Sequence, residues 1–189
     1  SFGEEINGKV ISISDGDTLT ILTSHKQQIK IRLAEIDTPE SGQPYGKRAK
    51  QALSKLAFNK QATVVQQDVD QYGRVVGSVY VGSTDVNAEL VRSGAAWVYK
   101  EYMKDKTLLK LEREARNQGR GLWGLSETRQ IAPWDWRRGS RAAALAFEQA
   151  PNGGGNKTLH GLLGGARVLG GDHNGCAFHL RVLPDGQGE

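Results

Sequence analysis

Between Ile6 and Val81 the chain repeats one pattern: short runs of β-type residues, each broken off by an Asp-Gly, Ser-Gly or Tyr-Gly pair that suits a turn. Strands are predicted near 6–14, 17–23, 28–36, 61–67 and 74–81. Between the third and fourth, Ala49, Ala52, Leu53, Leu56 and Ala57 recur at helical spacing while Lys47, Lys50 and Lys55 fall mostly on other faces, which predicts a helix over 46–58. Two more helices follow. One is VNAELVRSG, capped by Asp85 and stopped at Gly94; the other covers 105–117, with Leu108, Leu109 and Leu111 for the core and Gly119 as its stop.

Three strands, a helix, two strands and two helices describe a small α+β domain. Five strands agree with an oligonucleotide/oligosaccharide-binding (OB-fold) β-barrel carrying three helices, although element order alone leaves other folds open. At 189 residues and 38% hydrophobic, the chain suffices for one such domain and not for two ordinary ones. The domain is expected over 1–139. Beyond it the Ala run at 140–149 suits a helix, but 150–189 holds eleven glycines with no steady period. The segment 140–189 therefore reads as a Gly-rich, disordered tail rather than an independent domain.

The formal net charge of +4 belongs wholly to the first 139 residues, because the tail balances four basic against four acidic side chains. That excess suits an anionic partner without requiring one. The single cysteine, Cys176, excludes an intramolecular disulfide and any multi-cysteine zinc or iron–sulfur centre within one chain. No stretch approaches the roughly 20 apolar residues of a membrane span. The opening SFGEE is unlike a secretory signal, so the expectation is a cytoplasmic protein or one whose leader has been removed.

Four carboxylates lie on two segments that only the fold can bring together: Asp15 and Asp17 in DGDT, Asp37 and Glu40 in IDTPE. Oxygen donors of this kind suit a hard cation such as Ca²⁺ or Mg²⁺, whereas DGDT taken alone is equally a hairpin turn with solvated aspartates. Arg32, near the buried part of a strand, needs an anion. An internal ion pair to Asp37, Glu40 or Glu35 would satisfy it, and so would a phosphate, which its forked donors fit well. Arg74 follows a Tyr-Gly turn at the start of the last predicted strand.

DGDT, an arginine four residues before IDTPE, then YGKRA, then DQYGR, in that order and at these intervals, resemble the staphylococcal nuclease (thermonuclease) family over residues 6–124. PWDWR at 133–137 resembles an ending of bacterial members. The resemblance implies an OB-fold barrel with three helices and Ca²⁺-dependent cleavage of DNA and RNA, leaving 3′-phosphate and 5′-hydroxyl ends. It implies that Asp17 and Asp37 are carboxylate ligands, that Thr38 gives its backbone carbonyl, and that Asp15 reaches the metal through water. Glu40 would orient or deprotonate the attacking water, while Arg32 and Arg74 grip the scissile phosphate. Tyr72, Trp97 and Tyr99 lie where the family places side chains against the nucleotide, and aromatic faces stack on bases with little sequence preference; ordinary packing is the competing account.

Two departures stand out: Gln71 where the best-known pattern has lysine, and a short 41–44 loop, SGQP. Trp123, Trp134 and Trp136 are expected to close the base of the barrel. His173, Cys176 and His179 match no common zinc spacing, and His25 reads as a solvated loop residue. A monomer acting on DNA and RNA, with single-stranded or locally melted DNA favoured and no membrane partner, is the expected form. By the family's habit it would be secreted or periplasmic. The rival reading is a catalytically silent nucleic-acid or protein-binding module on the same fold, although such relatives usually lack ligands or arginines that are present here.

Overall fold

The β-prone runs become the staves of a closed barrel. A computed structural model describes residues 3–148. In chain order the elements are β1 (Glu5–Asp15), β2 (Thr18–Leu22), β3 (Gln28–Leu33), β4 (Ile36–Asp37), α1 (Gly46–Ala57), β5 (Gln61–Val69) and β6 (Val75–Val81). They continue with β7 (Thr84–Asp85), α2 (Val86–Arg92), β8 (Trp97–Val98), α3 (Thr107–Asn117) and α4 (Pro133–Glu148). Strands β1, β2 and β3 form an antiparallel meander, and β5 pairs antiparallel with both β1 and β6. A parallel pairing of β3 with β6, in which Arg32 lies opposite Val76, closes the five strands into the OB-fold barrel.

Period-two alternation sends Leu19, Ile21, Ile31, Leu33, Val64 and Val79 into the barrel, where each is fully buried. Burial of such a side chain contributes about 1.5–3 kcal/mol. The helices close the barrel with one face each: Ala49, Leu53 and Ala57 from α1, Val86 and Leu90 from α2, Leu108 from α3. Lys47, Lys50 and Lys55 remain exposed on α1. Asp85 caps α2 as expected, its side chain accepting the Ala88 N–H at 3.0 Å. Gly94 and Gly119, both at positive φ, follow α2 and α3.

Three features differ from expectation. The third strand stops at Leu33 rather than continuing to 36, because the chain turns through Ala34 and Glu35, the latter at φ 66°. That turn is tied down by the Glu35 carboxylate, which accepts the Asp105 N–H at 2.7 Å, the Lys104 N–H, and the Gln67 side-chain amide at 3.1 Å. It starts β4 in a new direction against β8, with Asp37 opposite Trp97.

The three expected helices are joined by a fourth, α4, which begins at the Pro-Trp of PWDWR and runs through the composition change at 139. Pro at a first helical position suits the start of such a helix. The tail residues His173, Cys176 and His179 lie outside the described residues.

Trp123 and Trp134 do not close the barrel base. Trp123 joins Ala115 and Leu122 in a small second core with Trp97 packed against it, and Trp134 meets Trp97 edge-on at 5.7 Å. The barrel's base is already filled by aliphatic side chains and helices, which leaves the indoles to fix the segment after α3 and the start of α4 beside β8. Among the described residues no helix is long and apolar enough to cross a membrane.

Two glycines bring the site segments together. A Cβ at Gly16 would stand 2.6 Å from the Thr38 hydroxyl, so only glycine lets DGDT lie against IDTPE. A Cβ at Gly46 would fall 1.8 Å from the Glu40 carbonyl oxygen, so the first turn of α1 can pack under the Glu40 loop only without a side chain.

Candidate active site

Asp17 follows the β1–β2 turn, Arg32 sits near the end of β3, and Asp37 ends β4; the barrel's closure and the turn at Glu35 bring all three together. Arg32 Nη2 lies 3.3 Å from Asp17 Oδ2 and 3.2 Å from Asp37 Oδ1. Its Nη1 donates to the carbonyls of Leu33 at 2.6 Å and Ile36 at 2.9 Å. Of the anions the sequence offered, Asp37 is a partner; Glu35 is engaged elsewhere, and Asp17 is the added one.

Asp17 and Thr38 are locked to each other. The Thr38 N–H donates to Asp17 Oδ2 at 3.0 Å, and the Asp17 N–H donates to Asp15 Oδ1 at 3.0 Å. Burial works to raise the Asp17 carboxyl, but the Arg32 guanidinium, the hydrogen bond with Asp15 and the Thr38 amide outweigh it and hold the group below the usual range. Asp15 moves the other way: burial first, then the Asp17 charge beside it, pushes its carboxyl up to about 6. Burial also raises Asp37, against the pull of two guanidinium groups.

Glu40 is held by the short SGQP loop. Its N–H donates to Gln43 Oε1 at 3.0 Å, while the buried Gln43 amide donates to the Ile131 carbonyl just before α4. Shortness here means a fixed loop, with one glutamine linking the Glu40 backbone to the start of α4.

Arg74 stands apart from this cluster but lines the same cleft, of about 860 Å³, with Asp15, Asp17, Arg32, Asp37 and Glu40. It is anchored by Asp70, whose Oδ2 accepts from Nε at 2.7 Å and whose Oδ1 accepts the backbone N–H of Tyr72 and of Arg74. The side chain is therefore aimed by DQYGR itself and needs no contact from the other arginine.

The three aromatic residues diverge. Tyr72 is 75% exposed at the rim, with the Arg74 guanidinium 5.5 Å from its ring centre. Tyr99 lines the cleft and stacks on Trp134 at 5.4 Å and 12°. Trp97 is absent from the cleft wall: Trp123, Trp134 and the Arg116 guanidinium surround it. Gln71 lines the cleft where the resembling pattern has lysine, and His25 is exposed, within 3.4 Å of the Ser24 hydroxyl.

The sequence reading missed Arg137. From α4 it reaches across about a hundred residues to donate to Asp37 Oδ2 at 2.7 Å, Asp37 Oδ1 at 3.2 Å and Glu40 Oε1 at 2.6 Å. The only signal was the final arginine of PWDWR.

Among the described residues no three His, Cys, Asp or Glu side chains close on one point as a ready-made cage. The donor set still suits a hard cation, because two carboxylates and a backbone carbonyl leave the remaining positions to water. Asp15 and Asp37 are raised by burial first and then by the Asp17 charge beside them, and a divalent ion would offset that neighbouring negative charge.

Residues 30–125 match the family described as staphylococcal nuclease homologue. The chain is 42% identical over 150 residues to a micrococcal nuclease of Shigella flexneri, covering 74% of this chain and 84% of that protein. It is also 42% identical over 130 residues to an uncharacterized endonuclease of Haemophilus influenzae, covering 69% of this chain and 72% of the relative. A second uncharacterized endonuclease, from Escherichia coli, is 42% identical over 134 residues, 70% of this chain and 86% of its own. With the barrel and the ordered motifs, these matches make the chain a member of the staphylococcal nuclease homologue family.

Proposed function

We propose that this protein is a Ca²⁺-dependent nuclease that hydrolyses phosphodiesters of DNA and RNA with little sequence preference, leaving 3′-phosphate and 5′-hydroxyl ends. The observation that carries the reading is one cleft lined by two arginines and the Asp15, Asp17, Asp37, Glu40 cluster. Asp17, Asp37 and the Thr38 carbonyl would hold the ion, with Asp15 reaching it through water; bound there, Ca²⁺ supplies positive charge against a phosphate oxygen.

Arg32 from β3 and Arg74 from the turn just before β6 bind the phosphate and stabilise the charge that grows on its oxygens during attack. Loss of one such donor typically costs about 3–4 kcal/mol of barrier. Glu40 accepts or orients a proton of the attacking water. The water oxygen bonds to phosphorus, the bond from phosphorus to the 5′ oxygen breaks, and that oxygen leaves with a proton as the 5′-hydroxyl. Tyr72 offers an exposed aromatic face for an unstacked base and Tyr99, stacked on Trp134, lines the same cleft, which supports a preference for single-stranded or locally melted DNA.

One observation favours the rival reading of a silent binding module: Asp37 and Glu40 are already satisfied by arginines of the same chain. Degradation of single-stranded DNA with Ca²⁺, with chelator, and by the Arg32→Ala, Glu40→Ala double variant decides between them. Cleavage by wild type with Ca²⁺ alone supports the nuclease; strand binding without turnover in all three samples supports the module. A non-specific nuclease endangers its own genome, so we extend the proposal to a monomer exported to the periplasm or medium. Recovery of the native protein only from the cytoplasmic fraction, or as a stable oligomer, contradicts that extension.

A further inference from the structure

Asp37 is nearly sealed, with 1% of its side chain exposed, yet both of its oxygens face guanidinium groups. Oδ1 receives Arg32 and Arg137, and Oδ2 receives Arg137 at 2.7 Å. Two hydrogen bonds fill the two lone-pair directions of Oδ1. A cation approaching Oδ2 meets a positive charge already in contact with it. Arg32 is fixed by two backbone carbonyls and by Asp17 and is 16% exposed, so it is poorly placed to withdraw. Arg137 comes from the side of a helix, is 42% exposed, and among the described residues hydrogen-bonds only to Asp37 and Glu40.

Resting on the calcium reading above, we infer that Arg137 is a further residue of the metal site. It stands on Asp37 in the cation's place, keeps Asp37 and Glu40 in register while the site is metal-free, and competes with Ca²⁺ for the Asp37 carboxylate. Its hold sets the calcium affinity: a ligand free for only about a tenth of the time binds about tenfold more weakly than one always free. The start of α4 is thereby part of the site, with Trp134 stacked on Tyr99 fixing the helix end that carries Arg137.

Titration calorimetry of calcium chloride into the metal-free full chain tests this, with wild type, R137Q and R137K compared after circular dichroism has shown each to be folded. R137Q is expected to bind Ca²⁺ about tenfold more tightly than wild type. R137K, which keeps the charge but loses the fork that spans Asp37 and Glu40, is expected to fall between the two. A wild type that binds calcium while R137Q binds equally or more weakly overturns this inference and leaves the nuclease reading standing. A wild type that takes up no calcium overturns the calcium reading and this inference with it.

Discussion

Replacing Arg32 with alanine tests the architecture and the chemistry together. Arg32 makes four contacts, two to backbone carbonyls and two to the carboxylates of Asp17 and Asp37, which are otherwise buried beside each other. Removing one partner of a buried ion pair typically costs about 3–5 kcal/mol, because the charge left behind is uncompensated. Each kcal/mol lowers the melting temperature of a domain this size by about 2–4 °C, so Arg32→Ala in chelator should melt roughly 10 °C below wild type. Calcium should restore more of that loss in the variant than it adds to wild type, since Arg137 still pairs with Asp37 but Asp17 is left without a guanidinium and has the ion as its counter-charge. Thermal unfolding followed by circular dichroism, with chelator and with saturating Ca²⁺, reads both effects. A variant that melts within about 2 °C of wild type in chelator would show the network to be soft and refute the account of why these segments meet.

Asp15 gives a pH-dependent prediction. Its carboxyl, pushed up to about 6 by burial and then by Asp17, holds its proton more tightly in the fold than in the unfolded chain. Its ionisation therefore penalises folding, with no penalty below the ordinary value of 3.8 and the full penalty above about 6. Asp15→Asn should raise the melting temperature of the metal-free protein at pH 8, with the gain shrinking toward pH 4. Tyr72→Ala should raise KM for single-stranded DNA about tenfold with kcat little changed, as stacking on an exposed ring contributes binding; steady-state kinetics separate the two. Gly46→Ala should displace the Glu40 loop, because its Cβ would meet the Glu40 carbonyl at 1.8 Å, lowering stability by about 1–3 kcal/mol and kcat with it. Denaturant unfolding and turnover rates check the pair.

Much of the barrel was legible because period two and turn dipeptides are local signals. Its strands begin and end within a few residues of where alternation, Asp-Gly and Tyr-Gly place them. The turn at Ala34 and Glu35 was hidden for a physical reason: Ile36 continues the apolar run, and nothing in the composition of RLAEI announces a glutamate at positive φ. What stabilises that conformation is a carboxylate accepting amides nearly seventy residues away, and a long-range contact leaves no periodic trace.

Arg74 carries its own anchor in DQYGR, since Asp70 is four residues away, so a local reading could place its guanidinium at a strand start. Arg137 has no such neighbour on Asp37; their contact spans α3, the second aromatic core and the Gln43 link to Ile131. A motif of acids names the ligands a cation would use but is silent on the cations the chain itself brings to them. Three carboxylates, Asp17, Asp37 and Glu40, pair with Arg32 and Arg137 within the cluster, so the charge left for a divalent ion depends on a helix that begins where the recognised motifs end. On the proposed reading, cation affinity then depends on the packing of Trp134 against Tyr99, which seats that helix, as well as on the aspartates that would bind the ion.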